Sequence, residues 1–457
     1  MNLAYSIQCK RRLILIVLTL LQYVSIDATI RFNGNEYEVI QISPDRNTGL
    51  DALYVINGID NTSIIYESDA PTAPQWSMFD NRGGAFAQPV EGLIHDGYTT
   101  TLNHIKGNCG YIIKDGNKNI YFWIIDYEYS PFNISIFNIS SIQDCNYTIL
   151  DFEGNASPIH YYTINGQRKD LSRDISLSFM TLDWNDEATQ YEHISKTISL
   201  PSISESIKIT PPVYCDTSFE ISGDTFLKKW GINVTKTIDD FTPNATSVST
   251  VMNIDNMHKN SGELSNIINQ DNEDMNGISA PVRASFSAYC TDAVVHHEWQ
   301  ISEDEDFSNI SYHIYEQDFD FEFEKEGTTY VRFVGSNDDG SCQAYGEKYV
   351  IKIGDTKLKI PNVFSPDDDG INDIWKISYT SLVEFKCWIF DRQGHELFSF
   401  ENPNLGWDGR FNGKIVKPGV YYYVIQAKGA DGKKYNRSGD INILRHKKFN
   451  NNPDYSE

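Results

Sequence analysis

The sequence is short of positive charge, has a single long apolar run, and contains no Cys-x-x-Cys pair. Lys and Arg number 38 against 63 Asp and Glu, a net charge of −25 over 457 residues. An acidic balance of that size excludes a nucleic-acid partner. Without Cys-x-x-Cys, neither a zinc site nor a thioredoxin-like centre has support. No G-x-S-x-G, P-loop or G-x-G-x-x-G occurs. His296-His297-Glu298 fails as a zinc motif because Ile301 stands where H-E-x-x-H requires its second His. On a strand the two imidazoles also point to opposite faces. Carboxylate pairs are uninformative, since 63 acidic residues supply some close pair whatever the function. The expectation is a protein that is not an enzyme, with no catalytic residue and no cofactor.

The apolar run occupies residues 13–24, behind Lys10, Arg11 and Arg12, with Ile26 and Ala28 placed at positions −3 and −1 of a cleavage site. As a helix a dozen residues reach only ~18 Å, short of a hydrocarbon core of about 30 Å. Residues 1–28 therefore read as a cleaved secretory signal peptide. Cys9 leaves with it. Cys109, Cys145, Cys215, Cys290, Cys342 and Cys387 stay in an exported chain, where disulfides are permitted.

What is abundant is strand chemistry. The chain has 27 Tyr, 24 Phe and 30 Gly, and short alternating runs are separated by Asn-Gly, Asn-Arg-Gly-Gly and Lys-Asp-Gly-Asn turns. The expected fold class is all-β: tandem immunoglobulin-like β-sandwich modules ending in a small β-sandwich. Residues 29–140 read as one antiparallel sandwich with Trp76 and Trp123 in its core, and residues 141–212 as a smaller β module. Residues 213–279 read as a β segment whose end, 255–279, is a polar linker. Residues 280–355 form an immunoglobulin-like domain, 356–446 the last sandwich and 447–457 a polar tail.

In residues 280–355, Cys290 follows the first strand and Cys342 lies in the last loop, positions that share one end of an immunoglobulin-like sandwich. The spacing predicts a Cys290–Cys342 disulfide. The pairing of Cys109, Cys145, Cys215 and Cys387 stays open at this point. The layout from "SAPVRASFSAY" to "YVIKIG" resembles the polycystic-kidney-disease-type domains of bacterial surface proteins. It departs from them in carrying Trp299-Gln300-Ile301-Ser302-Glu303-Asp304 in place of Trp-Asp-Phe-Gly-Asp-Gly.

The C-terminal segment carries five ordered motifs. These are Pro-Asn-x-Phe-x-Pro from Pro361, Asp-Gly-x-Asn-Asp-x-Trp over Asp369, Gly370, Asn372, Asp373 and Trp375, Phe-Asp-Arg-x-Gly from Phe390, Trp407-Asp408-Gly409, and Gly-x-Tyr-x-Tyr from Gly419 and Tyr421. The segment resembles the gliding-motility-associated C-terminal domain of Bacteroidota, the type B sorting domain of type IX secretion. That resemblance implies an exported protein placed outside the cell or on the outer-membrane surface. It also implies the type IX machinery as a partner, together with an integral outer-membrane protein. The resemblance covers about a fifth of the chain.

Asp367, Asp369, Asn372 and Asp373 invite a calcium reading, because clustered hard oxygens suit that ion. The register is not that of an EF-hand, and a loop whose side chains cap backbone amides is the favoured reading. Cys387, alternating with Phe385 and Ile389, reads as a buried small hydrophobe. The N-x-[ST] patterns, such as Asn61-Thr-Ser, are read as composition. The expected role is a structural or adhesive surface protein. The alternatives are a glycan- or host-protein-binding module and, behind these, a hydrolase within residues 29–279.

Overall fold

The computed structural model describes residues 30–254 and 277–444. The expected signal peptide and polar tail, and nearly all of the expected polar linker, lie outside the described residues. The chain divides into two compact units: Met1–Gln143 with Tyr147–Thr181 and His193–Thr242, and Asp144–Asn146 with Leu182–Glu192 and Pro243–Glu457. Among the described residues no helix is long and apolar enough to cross a membrane.

The first unit opens with a four-stranded sheet and a six-stranded sheet. The strand Ala52–Ile56 has no polar residue and is buried throughout. Such a run fits a strand covered on both faces. Tyr54 and Ile56 join the cluster of Ile64, Trp76 and Phe122, while Leu53 and Val55 join that of Trp123 and Phe152. Trp76 and Trp123 are both core residues, on opposite faces of the six-stranded sheet. One expectation needs correcting. Ala52–Ile56 pairs in parallel with Lys118–Asp126, Leu53 opposite Trp123, so this sandwich is not purely antiparallel.

The same unit continues with a second sandwich, and here the expected boundaries fail. Asn133–Ile139 pairs with Thr148–Asn155, Phe137 opposite Phe152, across the boundary expected at 140. Thr217–Ser222 pairs with Ile175–Asn185, Leu177 opposite Ile221, across the boundary expected at 212. Pro211 and Pro212 mark a turn inside the module rather than its end. A short helix, Thr225–Lys229, begins at Asp224, whose Oδ1 accepts from the amides of Phe226 and Leu227. Asp224 is fully buried with Arg173, 2.8 Å from it. Tyr127 donates its hydroxyl to Asp224 Oδ2 at 2.8 Å. The other guanidinium nitrogens of Arg173 donate to the carbonyls of Ser157 and Ser130. Burial and then the Asp224 charge push the Tyr127 phenol well above its ordinary pKa.

In the second unit, Val248–Ile254, Val282–Cys290 and Asp318–Phe323 form one sheet of a sandwich. The other is built on His296–Ser302 and Gly327–Ser336. Phe286, Trp299, Val331 and Phe333 are its core. Val248–Ile254 runs antiparallel to Val282–Cys290, Ile254 opposite Ala284. Residues 213–279 are therefore not a module of their own: their first strands belong to the preceding sandwich and their last to this one.

The expected Cys290–Cys342 disulfide is also corrected. Cys342 is bonded to Cys145, 197 residues earlier, and Cys290 is a free thiol. Cys290 is the last residue of the central strand of its sheet, opposite Val248, and is half-buried. The hydrogen bonds between Asn337 and Cys342 hold the latter's loop in a different setting. Cys109 and Cys387 are free as well.

The last sandwich centres on a five-stranded sheet, in the order Val363–Phe364, Lys434–Ile443, Gly419–Gly429, Leu382–Phe390, Glu396–Phe400. Phe385, Cys387 and Ile389 face its core, with Ile425, Ile441 and both Trp375 and Trp407. Cys387 is completely buried, which drives its thiol pKa to about 12.

Candidate functional site

The residues of the C-terminal motifs meet at one end of this last sheet. Their anchor is the loop after Pro366, where three backbones are left-handed: Asp368, Gly370 and Asn372, with φ of 61°, 85° and 55°. Asp373 makes that path affordable by capping it. Its Oδ1 accepts from the amides of Asp367 and Asp368 at 2.9 and 2.8 Å, and its Oδ2 from Gly370 at 2.7 Å. Partial desolvation opposes ionisation of Asp373, but the amides of Gly370, Asp368, Asp367 and Asp369 outweigh it and hold the carboxyl below its ordinary value. Asp369 caps Ile371 in the same manner at 2.8 Å.

Asp367, Asp369 and Asp373 bring ligand atoms within 4.8 Å of one another. Calcium takes roughly six to eight oxygens. Both oxygens of Asp373 are engaged by amides, and one of Asp369 is too. Asp367 Oδ1 is buried without a hydrogen-bond partner. The geometry is that of a carboxylate-capped turn.

Trp375 closes the loop. It exchanges two backbone hydrogen bonds with Trp407, at 2.9 and 3.0 Å, in an isolated antiparallel bridge. Both indoles are fully buried, and each finds a carbonyl: Trp375 Nε1 donates to Pro361 and Trp407 Nε1 to Arg410. The Gly-x-Tyr-x-Tyr strand supplies their neighbours, Tyr423 at 5.5 Å from Trp375 and Tyr421 at 5.4 Å from Trp407. Gly409, at φ 72°, has no room for a side chain, because a Cβ would lie 2.8 Å from Pro366. Asp408 caps Arg410, and Gly419 opens the long strand. Sequence reasoning missed Arg410, which reaches both Asp368 and Asp408. It also missed Ser381, a small polar residue between two strands with nothing in its neighbours to single it out.

Elsewhere the candidate chemistry is occupied. Glu303 and Glu305 pair with Lys325 and Lys348. His297 lies against the Phe333 ring, and His296 reaches the Asp338 carbonyl. A cleft of about 440 Å³ opens beside them, lined by Val295, Glu298, Tyr315, Val334 and Gln343 among others. Glu298 is held by Gln300 and His313.

Two family models match the chain. Residues 138–238 match the fibronectin type III domain, a span that crosses both 140 and 212, in agreement with the strand pairing. Residues 358–443 match the CHU_C Type IX secretion signal domain. A solved structure described as the "tetra-tandem repeat in extending region of large adhesion protein" aligns with 86% of this chain and 98% of that one. The identity is 12% and the TM-score 0.22, too low to bear on function. No curated protein matches. Residues 358–443, which carry the paired tryptophans and the capped turn, are a type IX secretion signal domain, borne by an all-β chain with a fibronectin type III module upstream.

Proposed function

We propose that the protein is a structural or adhesive component delivered by type IX secretion to the cell surface or the surrounding medium. Its upstream sandwiches serve as the displayed part. The secretion signal domain, which implies export and contact with the type IX machinery, is the observation that carries this reading. An integral outer-membrane protein is the proposed partner for retention, and the displayed modules carry no hydrolase activity. The test compares the full chain with one lacking residues 358–443 in a type IX-competent host. Surface or medium recovery of the full chain, with the truncated chain trapped inside, supports the reading. Equal export of the two sinks it, and turnover in a substrate screen overturns the non-enzymatic part.

The cleft beside Tyr315 favours a second reading, a glycan- or protein-binding module. Tyr315 is 70% exposed and lies beside the Glu298 carboxylate. An aromatic face next to fixed polar groups suits a sugar ring. A glycan array on the mature chain, repeated with Tyr315→Ala, separates this from a purely structural role.

A further inference from the structure

Ser381 lies between two strands of the secretion signal domain, Ser378–Thr380 and Leu382–Phe390, and yet it is completely buried, with φ 52°. Much of what buries it belongs to the preceding sandwich. Its Oγ donates to the Gly354 carbonyl at 2.6 Å and accepts from the Ala280 amide at 3.3 Å. Its N–H donates to Ser279 Oγ at 2.8 Å. Its carbonyl accepts from the Ala430 amide at 2.9 Å and the Thr356 hydroxyl at 3.1 Å.

Ala430 is a second point of attachment. Its carbonyl accepts from the Glu326 amide at 3.1 Å, and its side chain is a buried member of the apolar cluster formed by Phe286, Trp299 and Phe333, with Val383 packed at the margin. The covalent connection is equally closed. Only Gly354, Asp355 and Thr356 separate the last sandwich strand, Tyr349–Ile353, from the first signal-domain strand, Lys357–Lys359. The Gly354 amide is taken by Ile278, and the Asp355 carbonyl by the Thr356-side neighbour Thr380.

Adjacent domains move unless an apolar, hydrogen-bonded interface holds them. Here backbone groups that a free linker would give to water are satisfied across the junction, and Ala430, with Val383 beside it, is built into the apolar cluster of the preceding sandwich. We propose that the secretion signal is presented by a two-module rigid body, residues 248–254 with 277–443, in which Ser381 and Ala430 pin the signal domain to the sandwich before it. The face around these two residues is consequently occupied by the chain's own module. This deepens the secretion reading of residues 358–443 and rests on it only for the export measurement below.

Hydrogen exchange on the full mature chain tests the pinning directly. The amides of Glu326, Gly354, Ser381 and Ala430 are expected to exchange together, within about ten-fold of the core amides of Trp299 and Trp375. Ala430→Glu puts a charge into the sandwich's apolar cluster and is expected to release all four by about 100-fold while Trp375 and Trp407, in a separate cluster, stay slow. Should Ala430→Glu unfold the sandwich, Ser381→Ala serves instead, with faster exchange confined to Gly354, Ala280 and Ala430. Wild-type junction amides exchanging like unstructured chain, or no change in either folded variant, overturns the proposal. Export of the same variants separates the two claims. Loss of export in an unpinned, folded variant supports presentation by the pair. Unaltered export limits the pins to a mechanical role and overturns that presentation, while a wild-type chain that is not exported at all overturns the secretion reading and leaves the exchange result standing.

Discussion

Trp375 and Trp407 hold each other through two reciprocal backbone hydrogen bonds, 2.9 and 3.0 Å long, although they are 32 residues apart and neither lies in a regular strand. Each also buries its whole indole. Trp407→Ala is therefore expected to cost about 3 to 5 kcal/mol, since it leaves a large cavity under Phe364 and Tyr421. Tyr422→Ala, on the exposed side of the same strand, is the control and should cost under about 1 kcal/mol. Chemical denaturation of the two variants, read by the near-ultraviolet signal of the tryptophans, decides it; equal losses would mean that the indole pair is not the core of this domain.

Non-reducing peptide mapping should recover Cys145 linked to Cys342, with Cys109, Cys290 and Cys387 alkylated as free thiols. The closed loop is long, so the chain-entropy model gives the bond about 5 kcal/mol. Cys145→Ser with Cys342→Ser is expected to lower the denaturation midpoint accordingly. A Cys290–Cys342 peptide would refute the assignment.

The Arg173–Asp224 pair is fully buried, so removing one partner strands the other charge. Arg173→Met and Asp224→Leu are each expected to destabilise by about 3 to 5 kcal/mol, whereas the two combined should recover part of that loss. Recovery is incomplete because Asp224 also caps the helix Thr225–Lys229. Urea unfolding of the single and double variants closes the cycle; additive losses would show that the two side chains act independently.

Asp373 gives a pH dependence of defined sign. Its carboxyl is held below its ordinary value in the folded state. Its contribution is therefore complete above the unfolded carboxyl pKa of about 4 and is lost as the pH falls through the lower folded value. The stability gap between wild type and Asp373→Asn should be widest at neutral pH and shrink below about pH 4. A gap that stays constant with pH would show that ionised Asp373 does not support the turn.

Alternation and turn chemistry made most strands legible, and the burial of Trp76 and Trp123 with them. The secretion signal domain was the most legible part, because its motifs sit at turns whose backbone angles restrict the residues allowed, as at Gly370 and Gly409. What alternation reports is which face a side chain takes. It is silent on which strand lies alongside. That is why the parallel pairing of Ala52–Ile56, the partner of Val248–Ile254 and the partner of Cys342 were all missed. Each is a long-range choice of neighbour, set by packing of the whole unit. The capping role of Asp373 was readable from residue type, but Ser381 was not, because its importance comes from the surface that closes over it.

The bond between Cys145 and Cys342 also imposes an order of events during synthesis. The ribosome delivers Cys145 a full 197 residues ahead of its partner. That lead matters once the chain has left the reducing cytosol, where Cys145 meets Cys109, and then Cys215 and Cys290, before it meets Cys342. None of those three is its native partner. A hasty oxidant would therefore trap the nascent chain in a wrong pairing, and correct maturation calls for a slow oxidant or for an isomerase that can reopen the early mistakes.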